Sequence, residues 1–344
     1  MRIAPSDRIR VLATDAHELA GLGAVRSLGR AGYWVVAGYP EGRPRPPAVY
    51  SRFCEGSACY PDPWTHQFAF REWLVDAAER RQFDAILPIA ESAVAGVAAV
   101  RPQLLSRDIT VVLPSDRALA YSLSKYRATA MACAAGILCP STVFVQSPDE
   151  AAAWNDDLSP LRFPVIVKTD NHVSTDGRYV RGRRFILQSP AEAAAVLGPL
   201  RGTGIGVIAQ EVIPGTGAGA FALRFGGRVH MTFAHRRLHE IPYWGGYSSF
   251  RASCHDPAMT ALAAQVLDAA AFDGVAMVEF RRSSVDGRDY FLEINGRLWG
   301  SLALALHAGA DFPRALLECY VAGAPAPQPP YRSGVRCRNV FPGE

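Results

Sequence analysis

Apolar and polar positions alternate along the first third of the chain in a strand–helix rhythm. "IRVLATD" (9–15) is a short apolar run of the kind that makes a buried parallel strand, and "ELAGLGAVRSLGRAGY" follows with helical spacing. "YWVVAGY" reads as a second strand and "QFAFREWLVDAAERRQ" as a helix, with further strands in "DAILPIAES" and "RDITVVLPS". This order predicts a doubly wound α/β layer over residues 1 to about 115. Residues 119–137 read as one or two helices ending near Gly136, "FPVIVKTD" as a strand with a lysine at its exit, and "RRFILQSPAEAAAVL" as strand, Ser-Pro cap and helix. From 205 onward the pattern is mainly β. "GAFALRFGGRVHMTFAHRRL" folds about a Gly-Gly turn, and "GVAMVEFRRSSVDGRDYFLEIN" has two strands flanking Asp286-Gly287.

Composition narrows the class. The 344 residues are 49% hydrophobic and 20% charged, enough for a large core and for roughly two domains of about 150 residues. The net charge of +4 comes from scattered arginines without a basic run, so a nucleic-acid groove is not expected. Seven cysteines without a Cys-x-x-Cys pair read as reduced thiols. The opening "MRIAPSDRIRVLATD" lacks a signal-peptide core, and no apolar run reaches the roughly 20 residues of a membrane span. These features predict a cytoplasmic protein without a membrane partner. Gly21-Leu-Gly23 lacks the third glycine of the dinucleotide fingerprint, so a tight strand-to-helix turn is the favoured reading.

The stretch "FLEINGRLWGS" (291–301) carries the strongest chemical signal. Alternate residues of a strand share a face, so Glu293 and Asn295 project together, opposite Leu292 and Ile294. The hairpin partner brings Glu279 beside Glu293. Two acids and an amide on one face suit Mg²⁺ or Mn²⁺ held together with substrate phosphates. Periodicity alone leaves a wet sheet face equally open. Lys168, at the end of an apolar strand, needs an anion if it is buried. Glu91 and Ser92 follow the third strand at its carboxyl end, where open α/β sheets bind ligands.

"MVEF" with "FLEINGRLWGS" resembles the C-terminal metal signature of the ATP-grasp superfamily, and the remaining motifs follow in that superfamily's order. Lys125 in "SLSKYRA" matches the helix lysine, Lys168 in "PVIVKTD" the strand-end lysine, and Gln210, Glu211 and Val212 in "AQEVIPG" the adenine-binding linker. The layout is most similar to carboxylate–amine ligases of that superfamily.

The resemblance implies an N-terminal α/β domain (1–117), an ATP-grasp domain (118–327) of two α+β subdomains (about 140–212 and 213–327), and a tail (328–344). It implies two magnesium ions on Glu279, Glu293 and Asn295, with Mn²⁺ as an alternative. Lys125, Lys168 and the linker would bind ATP, and Arg297 and Arg251 would stabilise the charge of an acyl phosphate and its tetrahedral intermediate. Glu91, Ser92, Arg236 and Ser249 are substrate-contact candidates, although a wet strand edge accounts equally well for Arg236, Arg237, His235 and His239. The expected reaction joins a small carboxylate to an amine with release of ADP and phosphate. Acylation of a hydroxyl or thiol, or a non-catalytic ATP-binding module, is the alternative. A homodimer is a further expectation.

Two departures stand out. "GTGAGAFAL" lacks an acid for the ribose, and the phosphate-covering loop "TDNHVSTDGRYVRG" is longer and more polar than usual, which suggests a lid over 169–183. "EIPYWGGYSSF" suggests an aromatic-walled pocket through Tyr243 and Trp244.

Overall fold

The structure is a computed structural model that describes residues 8–150, 152–241 and 247–339. Strands β1 (Arg10–Ala13), β2 (Trp34–Pro40), β3 (Gly56–Tyr60), β4 (Ala85–Leu87) and β5 (Thr110–Val111) form a parallel sheet of order β3-β2-β1-β4-β5. The order reverses beside β1, so the β1 and β4 loops open together at the carboxyl edge, where a crevice forms. The first of these loops turns tightly into the helix Gly21–Arg30. A Cβ on Gly21 would lie 2.3 Å from the Ala16 carbonyl oxygen, which agrees with close strand–helix packing rather than a dinucleotide loop.

Three buried side chains tie the β1 loop together. Asp15 has φ +51°, accepts bonds from the Thr14 hydroxyl (2.7 Å), the Tyr60 hydroxyl (3.1 Å) and the Ala90 amide (3.2 Å), and donates its own amide to Tyr60 (2.6 Å). These bonds link the ends of β1, β3 and β4. Burial pushes the Asp15 carboxyl up to about 6.

A second sheet contains β6 (Thr142–Gln146), β7 (Val165–Thr169), β10 (Arg184–Leu187) and β11 (Val207–Glu211), in the order β10-β7-β11-β6 and antiparallel throughout. Between β7 and β10 the chain forms a short hairpin, β8 (His172–Val173) with β9 (Tyr179–Val180). The 169–183 segment thus has its own strands. It lies against the parallel layer through Tyr179 N–H to Trp64 O (2.8 Å), Gln67 N–H to Gly177 O (2.8 Å) and an edge-on Trp64–Tyr179 ring contact.

The largest sheet is antiparallel. It consists of β12 (Gly215–Phe225), β13 (Arg228–Ile241), β14 (Tyr247–Cys254), β15 (Gly274–Ser283), β16 (Asp289–Asn295) and β17 (Arg336–Arg338), in the order β16-β15-β12-β13-β14-β17. Gly226 and Gly227, at φ +57° and +75°, make the expected tight turn between β12 and β13. The β15–β16 connection is longer than a two-residue hairpin because the strands separate at Ser283 and Asp289.

Strand alternation divides this sheet between two cores. Ala218, Ala220, Ala222, Val278 and Ile294 pack against the helices Asp116–Leu123, Lys125–Ala134 and Pro257–Ala269. Phe221, Phe233, Met277 and Trp299 join Val11, Val35 and the helices after Ser301 in one core shared with the parallel sheet. The mixed α/β fold therefore combines a doubly wound parallel layer with two antiparallel layers. Among the described residues no helix is long and apolar enough to cross a membrane.

Candidate active site

The site lies on one face of the six-stranded sheet. Glu279 pairs directly with Glu293 and Met277 with Asn295, so both acids and the amide face the same cleft. A register shift between Glu279 and Phe280 changes the phase of β16. Phe291 and Ile294 are consequently buried, while Leu292 turns into a neighbouring slot instead of sharing a face with Ile294.

Each acid has a cation. Lys125 Nζ lies 3.3 Å from Glu293 Oε2, and Arg237 Nη2 lies 3.0 Å from Glu279 Oε2. Burial alone would raise the Glu293 carboxyl, but Lys125 and the Asn295 amide (3.1 Å) carry it down to about 2. Burial raises Glu279 despite Arg237, since its neighbour Glu293 is also negative.

Lys125 owes its position to a helix start. Ser124 caps the helix Lys125–Ala134 by accepting from Arg127 N–H (3.0 Å), and the Asp170 carboxylate accepts from the Ser124 hydroxyl and from Tyr126 N–H (3.1 Å). Asp170 was not among the sequence candidates. Its signal was the acid two residues after the strand-end lysine in "VKTD".

Lys168 is half-buried on β7 and donates to Gln210 Oε1 (2.6 Å), which in turn donates to the Thr142 hydroxyl (3.0 Å). Burial lowers the Lys168 amine to about 8. A narrow cleft of about 150 Å³ adjoins it, walled by Ile166, Ile186, Gln210, Val212 and Leu292. Glu211 borders this slot too, but its carboxylate accepts the Arg162 amide (2.9 Å).

Arg297 follows β16 and points towards the parallel layer. Its guanidinium bonds the Leu298 carbonyl (3.1 Å) and lies 4.0 Å from Glu91 Oε2. Glu91, at the start of the helix Glu91–Ala99, also accepts from Tyr179 OH (3.0 Å) and from the Asn171 amide. One acid therefore joins all three layers at the cleft.

The remaining candidates lie elsewhere. Ser92 is fully buried beneath this acid, and its carbonyl accepts the Gln67 amide (2.6 Å), so it does not reach the cleft. Arg236 is exposed on the opposite face of β13, because it is one residue out of phase with His235 and Arg237, which line the cleft. Arg237 takes the place expected of Arg236. Ser249 is buried and bonds His239 Nδ1 (2.6 Å). Arg251 is on the cleft face, but three strands from Glu279, about 14 Å across the sheet at roughly 4.8 Å per strand. It lines the same cavity as Glu279, Glu293 and Arg297, at the end away from the acids. Tyr243 and Trp244 lie outside the described residues.

Gly217 and Gly219 keep the middle of the floor open. A Cβ on Gly217 would lie 2.4 Å from Glu240 Oε1 and 2.7 Å from Arg237 Nη1, where that ion pair now sits. The stretch that lacks a ribose acid is thus the low centre of the cleft, and its two-residue glycine period was the sequence signal for it.

Residues 220–341 match a family described as ATP-grasp in the biosynthetic pathway with Ter operon. The arrangement of layers also matches solved structures over nearly the whole chain. Biotin carboxylase from Campylobacter jejuni is 15% identical, with a TM-score of 0.66 over 92% of this chain and 72% of its own. The chain has the ATP-grasp fold. An L-amino acid ligase from Bacillus licheniformis shares that fold at 16% identity and a TM-score of 0.64, over 92% of this chain and 75% of its own. N5-carboxyaminoimidazole ribonucleotide synthetase from Thermus thermophilus matches at 17% and 0.64, over 93% and 80%. No curated protein sequence matches the chain.

Proposed function

We propose that this ATP-grasp chain is an ATP-dependent ligase that activates a small carboxylic acid as an acyl phosphate and joins it to an amine. The observation that carries this reading is the direct pairing of Glu279 with Glu293 between Lys125 and Arg237, in a cleft that continues into the slot beside Lys168. We assign the parallel layer to an N-terminal domain (1–117) and the antiparallel layers to the ATP-grasp domain (118–327). The similar enzymes named above suggest ATP as the phosphoryl donor.

Adenine would occupy the slot walled by Ile166, Ile186 and Leu292, against the Gln210–Val212 linker. Lys168 and Lys125 would hold the phosphates. Among the described residues no three His, Cys, Asp or Glu side chains form a metal group by themselves. Two acids and an amide leave ligand positions for phosphate oxygens, which fits a hard divalent cation shared with a nucleotide. Glu279, Glu293 and Asn295 would hold Mg²⁺, two ions by the resemblance, with Mn²⁺ as a substitute. The metal would neutralise charge between the phosphates.

In the first step a carboxylate oxygen of the acid attacks the γ-phosphorus, the bond to the β–γ bridging oxygen breaks, and ADP leaves. In the second, the lone pair of a neutral amine attacks the acyl carbon, the carbon–oxygen bond to phosphate breaks, and the nitrogen loses a proton. Arg297, at the rim of the acid pair, stabilises the oxyanion that develops between these events. No side-chain nucleophile is required.

The test is ADP and phosphate release across a panel of acids and amines with Mg²⁺ and ATP. Acid-dependent ADP formation that becomes productive with an amine supports the reading. ATP binding without turnover on any acid would replace the ligase with a nucleotide-binding module. Light scattering on the same preparation tests the proposed homodimer.

A further inference from the structure

The far end of the cleft contains polar groups that the proposed chemistry leaves unused. The cleft encloses about 350 Å³ and extends from Glu293 across the sheet to β14. Arg251 is only 2% exposed there. Its guanidinium donates to the Ser248 carbonyl and to Asn339 Oδ1, and among the described residues its Nε has no partner. Among the described residues no carboxylate lies within ion-pair distance of Arg251, and its neighbour on β17 is the Cys337 thiol.

Two further groups share this condition. His235 is 1% exposed, lines the cleft, and among the described residues has a partner on neither ring nitrogen. Burial and the nearby Arg237 and Arg251 push its pKa well below the usual range, so it stays neutral. Trp299, 2% exposed, lines the same cleft with an indole N–H that has no partner among the described residues.

A buried cation without an anion is unfavourable, and so is a buried donor without an acceptor. Three such groups around one cavity point to a ligand that supplies negative charge and acceptor oxygens. The backbones of Arg251 and Glu279 stand about 14 Å apart across the sheet, three strands at roughly 4.8 Å each, so an acid reacting beside Glu279 leaves Arg251 to a second group of the ligand. The two side chains and bound phosphate shorten that gap to the span of a short carbon chain. Met277 lines the way between the two ends, and Arg237, which also lines it, is already paired with Glu279 and Glu240.

We infer that the acid substrate is dianionic, with one carboxylate at the Glu279–Glu293 end and a second oxyanion, carboxylate or phosphate, on Arg251, His235 and Trp299. This inference rests on the ligase reading. It makes Arg251 a specificity residue rather than a catalytic one.

The experiment compares glutarate, adipate and pimelate with hexanoate and with a phosphonocarboxylate of similar length. Each compound is assayed for ADP release with Mg²⁺ and ATP, and separately for thermal stabilisation without turnover, in the full chain and in Arg251→Met and Trp299→Phe. The diacid or the phosphono acid is expected to exceed hexanoate roughly 100-fold in kcat/KM, mostly through KM. The better of the two identifies the second oxyanion. Arg251→Met should collapse that ratio to within a few fold, and Trp299→Phe should reduce it by a smaller factor. Removing a cation that has no carboxylate partner among the described residues should leave unliganded Arg251→Met at least as heat-stable as the parent, so a folding defect is recognised directly.

Hexanoate equalling the dianionic acids, or an Arg251→Met variant that loses kcat on every acid with KM unchanged, overturns the inference and leaves the ligase intact. If no acid elicits ADP release, the ligase reading fails. The inference is then judged by the thermal shift alone, and a dianion that stabilises the parent no more than Arg251→Met overturns it as well.

Discussion

At the scale of single residues, charge placement decides what the cleft can do. Glu293 is held at about 2 by Lys125, so it is ionised at any working pH and ready to accept a cation. Glu293→Gln should lower kcat for ADP formation roughly 100- to 1,000-fold, with ATP still binding through Lys168 and the apolar slot. Full turnover in that variant would exclude the acid from the metal and phosphate platform. Lys168 shows the opposite effect. Burial lowers its pKa from the ordinary lysine value to about 8, so the folded state releases this proton more readily than the unfolded chain. On its own it therefore makes the protein more stable as pH rises from about 8 towards 10.5. Its positive charge, needed for phosphate, is lost over the same range. kcat/KM for ATP should decline above about pH 8, and Lys168→Arg should move that decline beyond pH 9, since a guanidinium does not titrate there. A pH–rate profile unchanged by Lys168→Arg would assign the decline to another group.

At the scale of elements, two short structures place the lysine and the acids. The helix Lys125–Ala134 begins where Ser124 caps it and Asp170 binds the cap, so the helix start depends on a residue from the end of β7. Ser124→Ala should cost about 1 kcal/mol, and Asp170→Ala about 1–3 kcal/mol because it leaves buried donors unsatisfied. The two losses should not add, as both act on one helix terminus. Each should also raise KM for ATP through Lys125, and urea unfolding alongside steady-state kinetics separates the two effects. A rise in neither quantity would mean that the cap does not position the lysine. The other element is the β15–β16 pair, whose shift after Glu279 lets Phe291 and Ile294 both reach the core while Glu293 stays in the cleft.

At the scale of the whole molecule, the parallel layer is joined to the rest by one shared core, by the contacts of Trp64 and Gln67 with the 169–183 segment, and by Glu91. Its loop geometry depends on Asp15, which is fully buried with its carboxyl raised to about 6. The folded state keeps this proton longer than the unfolded chain does. The stabilising contribution is therefore present below about pH 4 and is lost as pH rises through 6, by at most about 3 kcal/mol for a shift near two units. Asp15→Asn should flatten that part of the stability–pH curve, as thermal melts between pH 4 and 7 would show. An unchanged curve would mean that the carboxyl is already ionised throughout.

The strand–helix rhythm of the first 115 residues, the Gly-Gly turn and the alternation of Glu293 with Asn295 were all legible in the chain, because each depends on local sterics or on a period of two or 3.6 residues. The ATP-grasp fold itself was reached through the resemblance of the ordered Lys125, Lys168, Gln210–Val212 and Glu279–Glu293–Asn295 motifs, not through periodicity. Phase and distance were not legible. A single register shift reversed the expected direction of Leu292, and one residue of phase placed Arg237 in the cleft and Arg236 outside it. Asp170 met Ser124 across 46 residues, and Arg251 was separated from the acids by strands that enter the sheet out of chain order. Local patterns determine which residues share a face. Which faces meet, and how far apart their charges lie, depends on long-range pairing that only the tertiary structure specifies.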